Sequence, residues 1–331
     1  MDNLLNLGSV QKAEITFLVE NKAEMLIRPN KIANYYTSRP LLAEPGLSIL
    51  IKLNEKDNYI LLDGGASNIV LKENACRMNL DLNKINNIIL SHGHFDHTGA
   101  LADVIRLLGK DKKFANWSDS ENIEYISNVL DQEIVTIHTH PKAFRERWMI
   151  WDNGNKYGPL ITPKKEWEGL GAKIITSDKP EIIDEGCCTT GYIPRKSFEH
   201  FESKGLKNMY RNNSTFIEDD ICDELGLVIN VRDQGLVVIS GCAHAGILNT
   251  VYAAQEITGI KKILAVIGGF HLALASNEYI DNVITEFLKI NPKYIVPTHC
   301  TGFKAMKRFS DAMQDAFLFG CAGSSFLFET E

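Results

Sequence analysis

Three histidines and one aspartate lie within one short stretch of the chain, at His92, His94, Asp96 and His97. Imidazole nitrogens are good ligands for zinc, iron or manganese, and a carboxylate adds negative charge that favours a second divalent ion. His92 and His94 are two residues apart on an extended segment, so their side chains point to the same side. Chance rarely places four metal-binding side chains at this spacing, so a histidine-rich surface loop is the weaker interpretation. The stretch therefore predicts a loop that holds two metal ions.

An apolar triplet, Ile88-Ile89-Leu90, runs directly into these residues and predicts a buried strand. The carboxyl end of such a strand delivers its ligands into a loop, where open sheets tend to place their binding sites. Three further β-rich runs also end in a loop that contains histidine. These loops hold His244, His271 and His299.

Helices are predicted outside these runs. They cover residues 69–80, 100–108, 121–130, 247–257 and 279–290. Two β-rich halves with helices on their outer sides predict an α/β fold, a four-layer αββα sandwich with its ligands along one edge. Residues 28–39 are predicted to form a loop. The less regular pattern at 148–224 predicts an insertion or lid on a single domain that spans residues 1–331.

Asp63, His138 and His140 also lie near the ends of predicted strands. Hairpins are predicted at 46–63 and 225–240. Asp63 ends the first of them, and it either orients a metal-bound imidazole or is a simple turn aspartate. His138 and His140 follow a short predicted strand at 134–137. We interpret both histidines as structural, because most isolated histidines are not ligands.

The overall charge and hydropathy exclude several classes of partner. A net charge of −7, without a basic tract that carries interleaved aromatics, argues against nucleic acid. No apolar run approaches bilayer length, and Met1-Asp2-Asn3 does not begin a basic segment followed by an apolar one. The sequence thus predicts a cytoplasmic protein that acts on a small molecule and binds neither nucleic acid nor membranes. A homo-oligomer is compatible with it.

The seven cysteines include no Cys-x-x-Cys pair, which argues against a structural zinc knuckle. An odd number of cysteines in a chain of this length indicates free thiols. Cys242 and Cys300 differ from the others because each lies beside a histidine in a strand-end loop. Cys242 is either a thiolate ligand or a buried residue without a binding role.

The pattern His-x-His-x-Asp-His resembles the signature of the metallo-β-lactamase-fold superfamily. Further motifs occur in the order of a narrower group, and they are Glu44-Pro45-Gly46-Leu47-Ser48, Thr190-Gly191-Tyr192-Ile193-Pro194-Arg195, Gly241-Cys242-Ala243-His244-Ala245-Gly246, Gly268-Gly269-Phe270-His271-Leu272 and Pro297-Thr298-His299-Cys300-Thr301-Gly302. With Ser91 to Gly99, they resemble the subfamily that includes the archaeal 7,8-dihydropterin-6-methyl-4-(β-D-ribofuranosyl)aminobenzene 5'-phosphate synthases, over most of the chain. Glu44-Pro45-Gly46 departs mildly from the usual Glu-His-Gly. The resemblance implies the four-layer αββα sandwich of the metallo-β-lactamase fold.

The resemblance also implies a centre of two divalent transition metal ions. It assigns His92 and His94 to the first ion, and Asp96, His97 and His299 to the second. Zinc is the expected metal, with iron or manganese as alternatives.

This chain departs from the family pattern at two ligands. Gly241-Cys242 stands where a Gly-Asp that bridges the ions is expected, and the segment 212–224 has acids but no histidine. The first site must then be completed by His244, His271 or Cys242, and we favour them in that order.

Such a centre acidifies a bound water to near neutral pH and polarises a carbonyl or phosphoryl oxygen of the substrate. Asp96 is the candidate catalytic residue, because its carboxylate can orient the resulting hydroxide or accept a proton. Arg195 and Lys304 are the candidates for binding a substrate phosphate or carboxylate, and surface roles are the alternative for both.

Three functions fit these features. The leading hypothesis is a hydrolase that uses a metal-activated hydroxide on a small anionic substrate, such as a phosphate ester, a phosphodiester or a lactone. The second is a condensing enzyme like the dihydropterin-ribofuranosylaminobenzene phosphate synthases, which would take a phosphorylated or pterin-like substrate. The third is a metal-dependent ligand-binding protein without turnover, because a bridging carboxylate is missing.

Overall fold

Two large β-sheets face each other in the structure, a computed structural model that describes residues 4–114, 133–200 and 206–330. The strands of the first sheet run in the spatial order β2 (Ala33–Tyr35), β18 (Ser324–Glu329), β1 (Lys12–Val19), β3 (Ser48–Leu53), β4 (Tyr59–Leu62), β5 (Ile85–Ile89), β6 (Val135–Thr139) and β9 (Ala172–Thr176). Those of the second run in the order β10 (Ile182–Asp184), β11 (Cys187–Thr189), β14 (Leu227–Val231), β15 (Gly235–Ser240), β16 (Ile263–Gly269) and β17 (Tyr294–Thr298).

Both faces of each large sheet are buried, so the central strands are continuous apolar runs. On β3, Ile49 and Ile51 point into the core between the sheets, and Leu50 points outward to a second core under the helices. On β15, Val237 and Ile239 likewise face the other sheet. The alternation follows from the two-residue period of an extended chain.

Helices cover the outer face of each sheet. Against the first sheet lie α1 (Val70–Arg77), α2 (Leu101–Phe114) and α3 (Lys164–Gly169). Against the second lie α4 (Ile247–Thr258), α5 (Asn277–Ile290) and α6 (Gly302–Ala312). The result is the four-layer αββα sandwich that the sequence predicts. None of the described helices is long and apolar enough to cross a membrane.

A third, smaller sheet is attached to the sandwich. Its strands run in the order β13 (Thr215–Glu218), β12 (Leu206–Asn212), β7 (Arg147–Trp151) and β8 (Lys156–Leu160). The segment 148–224 supplies most of this sheet, and it also contributes β9 to the first large sheet and β10 and β11 to the second. Only part of the segment is therefore separate from the two large sheets, and its role as a lid stays a prediction.

The predicted elements compare well with the described ones. Both predicted hairpins are present, as the antiparallel pairs β3–β4 and β14–β15. The loop predicted over 28–39 is wrong in part, because it contains β2, which pairs with β18 at the edge of its sheet. The helix predicted over 121–130 lies outside the described residues.

Candidate metal centre

Each candidate ligand lies in a loop at the carboxyl end of a parallel strand. The first ligand loop, residues 90–97, follows β5 and carries His92, His94, Asp96 and His97. The second ligand loop, residues 241–246, follows β15 and carries Cys242 and His244. His271 and His299 follow β16 and β17. Side chains from both large sheets therefore meet at one edge of the sandwich.

The imidazole rings of the candidate ligands lie in contact with one another. The centroid of the His92 ring is 4.5 Å from that of His94 and 4.9 Å from that of His244, and the rings of His94 and His244 are also 4.9 Å apart. The rings of His97 and His299 are 5.1 Å apart. The first and second ligand loops thus bring three imidazoles around one point.

Potential donor atoms form three groups, each within 4.8 Å, and Cys242 belongs to all of them. The groups are His92, Cys242 and His244; Asp96, His97, Cys242 and His299; and Cys242, His271 and Cys300. The Sγ atom of Cys242 lies 3.3 Å from Nε2 of His97. Cys242 therefore lies between two histidine sets, the first formed by His92, His94 and His244 and the second by His97 and His299. The family pattern expects a bridging carboxylate at this position.

Three of these imidazoles have Nδ1 fixed by a neighbouring side chain, so that Nε2 faces the centre. Nδ1 of His92 lies 3.0 Å from Oγ of Ser91, and Nδ1 of His97 lies 2.6 Å from Oδ2 of Asp63. Nδ1 of His299 lies 2.9 Å from Oδ1 of Asn21. Metal-binding histidines are typically held in this way, with one nitrogen in a hydrogen bond and the other on the ion.

The centre fits a cation on a second ground. Nε2 of His92 is buried and has no hydrogen-bond partner in the part of the chain that the structure describes. A buried polar atom without a partner is costly, and such atoms usually mark a bound group. A divalent ion with nitrogen and sulfur ligands, such as zinc, matches this donor set.

Burial and neighbouring charges affect the pKa values of the rings. Burial lowers the pKa of His94 to about 4 and that of His92 well below its ordinary value. Burial also opposes the charged form of His97, but the carboxylates of Asp63 and Asp96 outweigh it and raise that pKa to about 9. The imidazoles of His92 and His94 are therefore neutral, whereas the negative charges around His97 favour a positive charge at that side of the centre.

Four residues other than glycine adopt a left-handed backbone conformation around the centre. The φ angles are 60° at Asp63, 61° at Ala243, 50° at His271 and 50° at His299. Such conformations are unfavourable for residues with a side chain and tend to cluster at functional sites. Here they turn the chain sharply where four strands end.

Asp63 is fully buried and accepts hydrogen bonds from the backbone N–H and the hydroxyl of Ser91 as well as contacting His97. Its side chain thereby orients one candidate ligand and fixes the start of the first ligand loop. We expect Asp63→Asn to weaken metal binding by about 10- to 100-fold, because an amide cannot replace both acceptor oxygens. Titration of the metal-free variant with zinc and a competing chelator measures the effect. An unchanged dissociation constant would contradict this role.

The other predicted site residues lie outside the two histidine sets. His271 is beside His244, with ring centroids 4.2 Å apart. Arg195 is exposed, and its guanidinium donates to the carbonyl oxygen of Asp220. Lys304 is exposed, and its Nζ donates to the carbonyl oxygen of Ala275.

The two histidines interpreted as structural have contacts of that kind. His138 contacts the side chains of Asn87 and Glu181. Nδ1 of His140 accepts from the backbone N–H of Lys142 at the start of a short helical turn.

Sequence reasoning missed the buried acids around the centre. Glu20 is fully buried, and its Oε1 accepts from the backbone N–H of His299 at 2.6 Å. Asp223 and Glu224, 0% and 2% exposed, contact the first and second ligand loops. The one available signal was the cluster of acids in the segment 212–224.

Arg147, on β7 of the small sheet, links that sheet to the centre. It is 3% exposed, with Nε 2.8 Å from Oδ2 of Asp219 and Nη2 2.6 Å from Oδ1 of Asp223. Oδ2 of Asp223 accepts from the backbone N–H of Gly93, between two candidate ligands. A methyl group at Gly93 would lie 2.0 Å from the carbonyl oxygen of Ala143, so this close packing requires glycine.

A side pocket of about 210 Å³ opens beside the centre. Its lining includes His244, His271, Cys300, Leu272, Leu274 and Tyr279. No lysine or arginine of the described chain lines it. Leu274 is 74% exposed, which leaves an apolar side chain at the mouth.

Comparison with known proteins agrees with these observations. A model of the metallo-beta-lactamase superfamily matches residues 42–113, which contain the first ligand loop. The chain is 32% identical over 318 residues to 7,8-dihydropterin-6-methyl-4-(beta-D-ribofuranosyl)-aminobenzene-5'-phosphate synthase of Methanocaldococcus jannaschii, which covers 95% of this chain and 96% of the relative. It is also 29% identical over 286 residues to an uncharacterized protein of that archaeon, covering 86% of this chain and 94% of the other.

Solved structures are similar over nearly the whole chain. Tm1679, described as a metal-dependent hydrolase of the beta-lactamase superfamily, has a TM-score of 0.68 and 20% identity, and the match covers 96% of this chain and 99% of that one. YhfI of Bacillus subtilis, a metallo-beta-lactamase fold protein, has a TM-score of 0.51 and 12% identity over 97% and 100% of the two chains. At these identities the likeness concerns the fold alone, and the predicted fold is confirmed.

Proposed function

We propose that this chain, a member of the metallo-beta-lactamase superfamily, is a metal-dependent hydrolase of a small anionic substrate. Within the superfamily it belongs to the family of the archaeal synthase. The observation that carries the proposal is a buried cluster of imidazole, carboxylate and thiol donors, which lie in loops that follow strands of the two large sheets. A structural role does not require so many donor atoms in one buried place, because each costs free energy unless it is partnered.

We assign the donors to two divalent ions, with zinc as the expected metal. His92, His94 and His244 would hold the first, and Asp96, His97 and His299 the second. Cys242 would be available as a thiolate ligand to either ion, since its Sγ atom belongs to both donor groups. Bound ions of this kind acidify water and polarise a carbonyl or phosphoryl oxygen.

The residues around the ions have separate tasks in this proposal. Asp63 and Asn21 orient the rings of His97 and His299 through their Nδ1 atoms. Oδ2 of Asp96 lies 3.5 Å from Nε2 of His299 at the edge of the centre, where it can orient the attacking water or take its proton.

The side pocket supports a small substrate with two unlike parts. The charged group, a phosphate or a carboxylate, belongs at the metal ions, since no lysine or arginine of the described residues lines the pocket. The uncharged part then fits beside Leu272, Leu274 and Tyr279. Lys304 is hydrogen-bonded to Ala275 in the pocket wall, so it would meet only a substrate that extends to the rim.

A second candidate function is the condensation that the relative's name describes. The 32% identity over 95% of this chain favours it, because so long an alignment includes the loops of the centre as well as the core. The substrates to test are then a dihydropterin diphosphate and an arylamine that carries a ribose phosphate.

One experiment separates these functions. The purified protein is analysed for metal, and is then assayed with a chromogenic phosphomonoester, a phosphodiester, a lactone and the condensation pair. We expect about two transition metal ions per chain, and hydrolysis that chelation abolishes and zinc restores. Condensation without hydrolysis would replace the first proposal with the second. Metal binding without turnover of any of these would instead favour a ligand-binding protein.

Three further points belong to this proposal. The small sheet and its flanking residues form the lid predicted at 148–224 on a single domain, and Arg147 joins it to the first ligand loop. We also propose that the protein works in the cytoplasm. Size-exclusion chromatography coupled to light scattering would show whether the protein forms the homo-oligomer with which the sequence is compatible.

A further inference from the structure

The segment 219–225 lies between the two ligand loops and bonds to both. Oδ2 of Asp223 accepts from the backbone N–H of Gly93 at 2.9 Å, and the backbone N–H of Leu225 donates to the carbonyl oxygen of Ser91 at 2.9 Å. Oε2 of Glu224 accepts from the backbone N–H of Ala245 at 2.7 Å. Two consecutive carboxylates thus contact different loops: Asp223 contacts the loop that follows a strand of the first large sheet, and Glu224 contacts the loop that follows a strand of the second.

The bonds are made at positions that control the ligands directly. Gly93 lies between His92 and His94 in the first ligand loop. Ala245 follows His244 in the second. A shift of either backbone N–H would move the neighbouring imidazole, and metal sites tolerate only small errors in ligand position.

We propose that Asp223 and Glu224 are positioning residues that set the separation of the two ligand loops, so that His92, His94 and His244 meet at one ion. The inference rests on the proposed metal centre but not on the reaction performed there. It assigns a role to acids that the ligand pattern of the family does not use.

Burial makes a merely structural explanation poor for Glu224. Its side chain is 2% exposed, and Oε1 has no hydrogen-bond partner in the described parts of the chain. A buried carboxylate of this kind costs several kcal/mol unless charge or hydrogen bonds compensate. Asp223 has such compensation in Arg147, whereas Glu224 forms no ion pair with any described lysine or arginine. Glu224 is therefore the residue on which the inference is best tested.

Two conservative variants distinguish position from charge. Glu224→Gln keeps the length of the side chain and an oxygen that can accept from Ala245. Glu224→Asp keeps the charge but is one methylene too short to reach. The measurements are the cobalt(II) dissociation constant and the visible spectrum of the cobalt-loaded protein, which reports ligand geometry without any substrate.

We expect Glu224→Asp to weaken cobalt binding by about 10- to 100-fold and to change the spectrum, as for loss of other groups that orient a ligand. Glu224→Gln is expected to keep the wild-type spectrum and affinity. Glu24→Asp is the control for shortening an acid, because Oε1 of Glu24 also accepts from two backbone N–H groups, those of Met25 and Leu26, which lie outside both ligand loops. Glu24→Asp should keep the wild-type spectrum.

Any other pattern overturns the inference. A damaged Gln variant with a normal Asp variant would mean that charge matters and not reach, and two normal or two damaged variants would also exclude a positioning role. Failure of the metal centre itself has a different signature, because the wild-type protein would then bind no cobalt. Thermal unfolding of the metal-free variants confirms that each is folded before it is titrated.

Discussion

Replacing His94 with alanine is expected to lower both metal affinity and turnover by more than about 100-fold, because loss of a group that merely orients a ligand already costs about 10- to 100-fold. The His94 ring packs against those of His92 and His244, so its removal opens the first histidine set. The protein should remain folded, since the side chain lies in a loop and is only partly buried. The effect is measured by metal analysis of the dialysed variant and by its rate on the substrate that the wild-type protein turns over fastest.

The matched control is His138→Ala. His138 is 8% exposed and hydrogen-bonded, but it lies in β6 and contacts Asn87 and Glu181 instead of the cluster. Its loss should leave the metal content unchanged. Full activity of metal-stripped His94→Ala protein would reject the proposed centre.

Replacing Arg147 with methionine is expected to destabilise the fold by about 3–5 kcal/mol, which is the usual effect of removing one partner from a buried ion pair. The change would leave the carboxylates of Asp219 and Asp223 buried without their main counter-charge. Urea unfolding followed by circular dichroism gives the free energy of unfolding of the variant and the wild type.

Arg106→Met is a close control for this prediction. Arg106 also pairs with two carboxylates, those of Asp103 and Glu166, but its side chain is 45% exposed. Solvent-exposed pairs contribute about 0–1 kcal/mol, so this variant should be near wild type. If the two arginine variants lost equal stability, burial of the Arg147 pair would not be the cause.

The first ligand loop was predictable because its information is local. Four candidate metal ligands stand within six residues, directly after an apolar triplet, and both the spacing and the strand can be recognised without knowledge of the fold. The same holds for the two hairpins, since two apolar runs joined by a short polar turn favour antiparallel pairing. The αββα layering then follows from helices that must cover both sheets.

Long-range contacts had no such local pattern. Glu20 and Glu224 lie far in sequence from the loops they contact, and each accepts from a backbone N–H, which every residue except proline provides. A buried acid in a loop looks like a surface acid until the fold buries it. The strand β2 was missed for a related reason, because three residues at a sheet edge are too few to establish a period.

The position of the centre between the sheets has a consequence for the life of the protein. A metal ion bound by residues from both sheets would link the two halves of the sandwich at one edge. The unfolded chain would lack this link. Mass action then adds roughly 4 kcal/mol to stability when free metal exceeds the dissociation constant a thousandfold. Metal starvation would expose the chain to proteolysis, so its abundance in a cell would follow the metal supply.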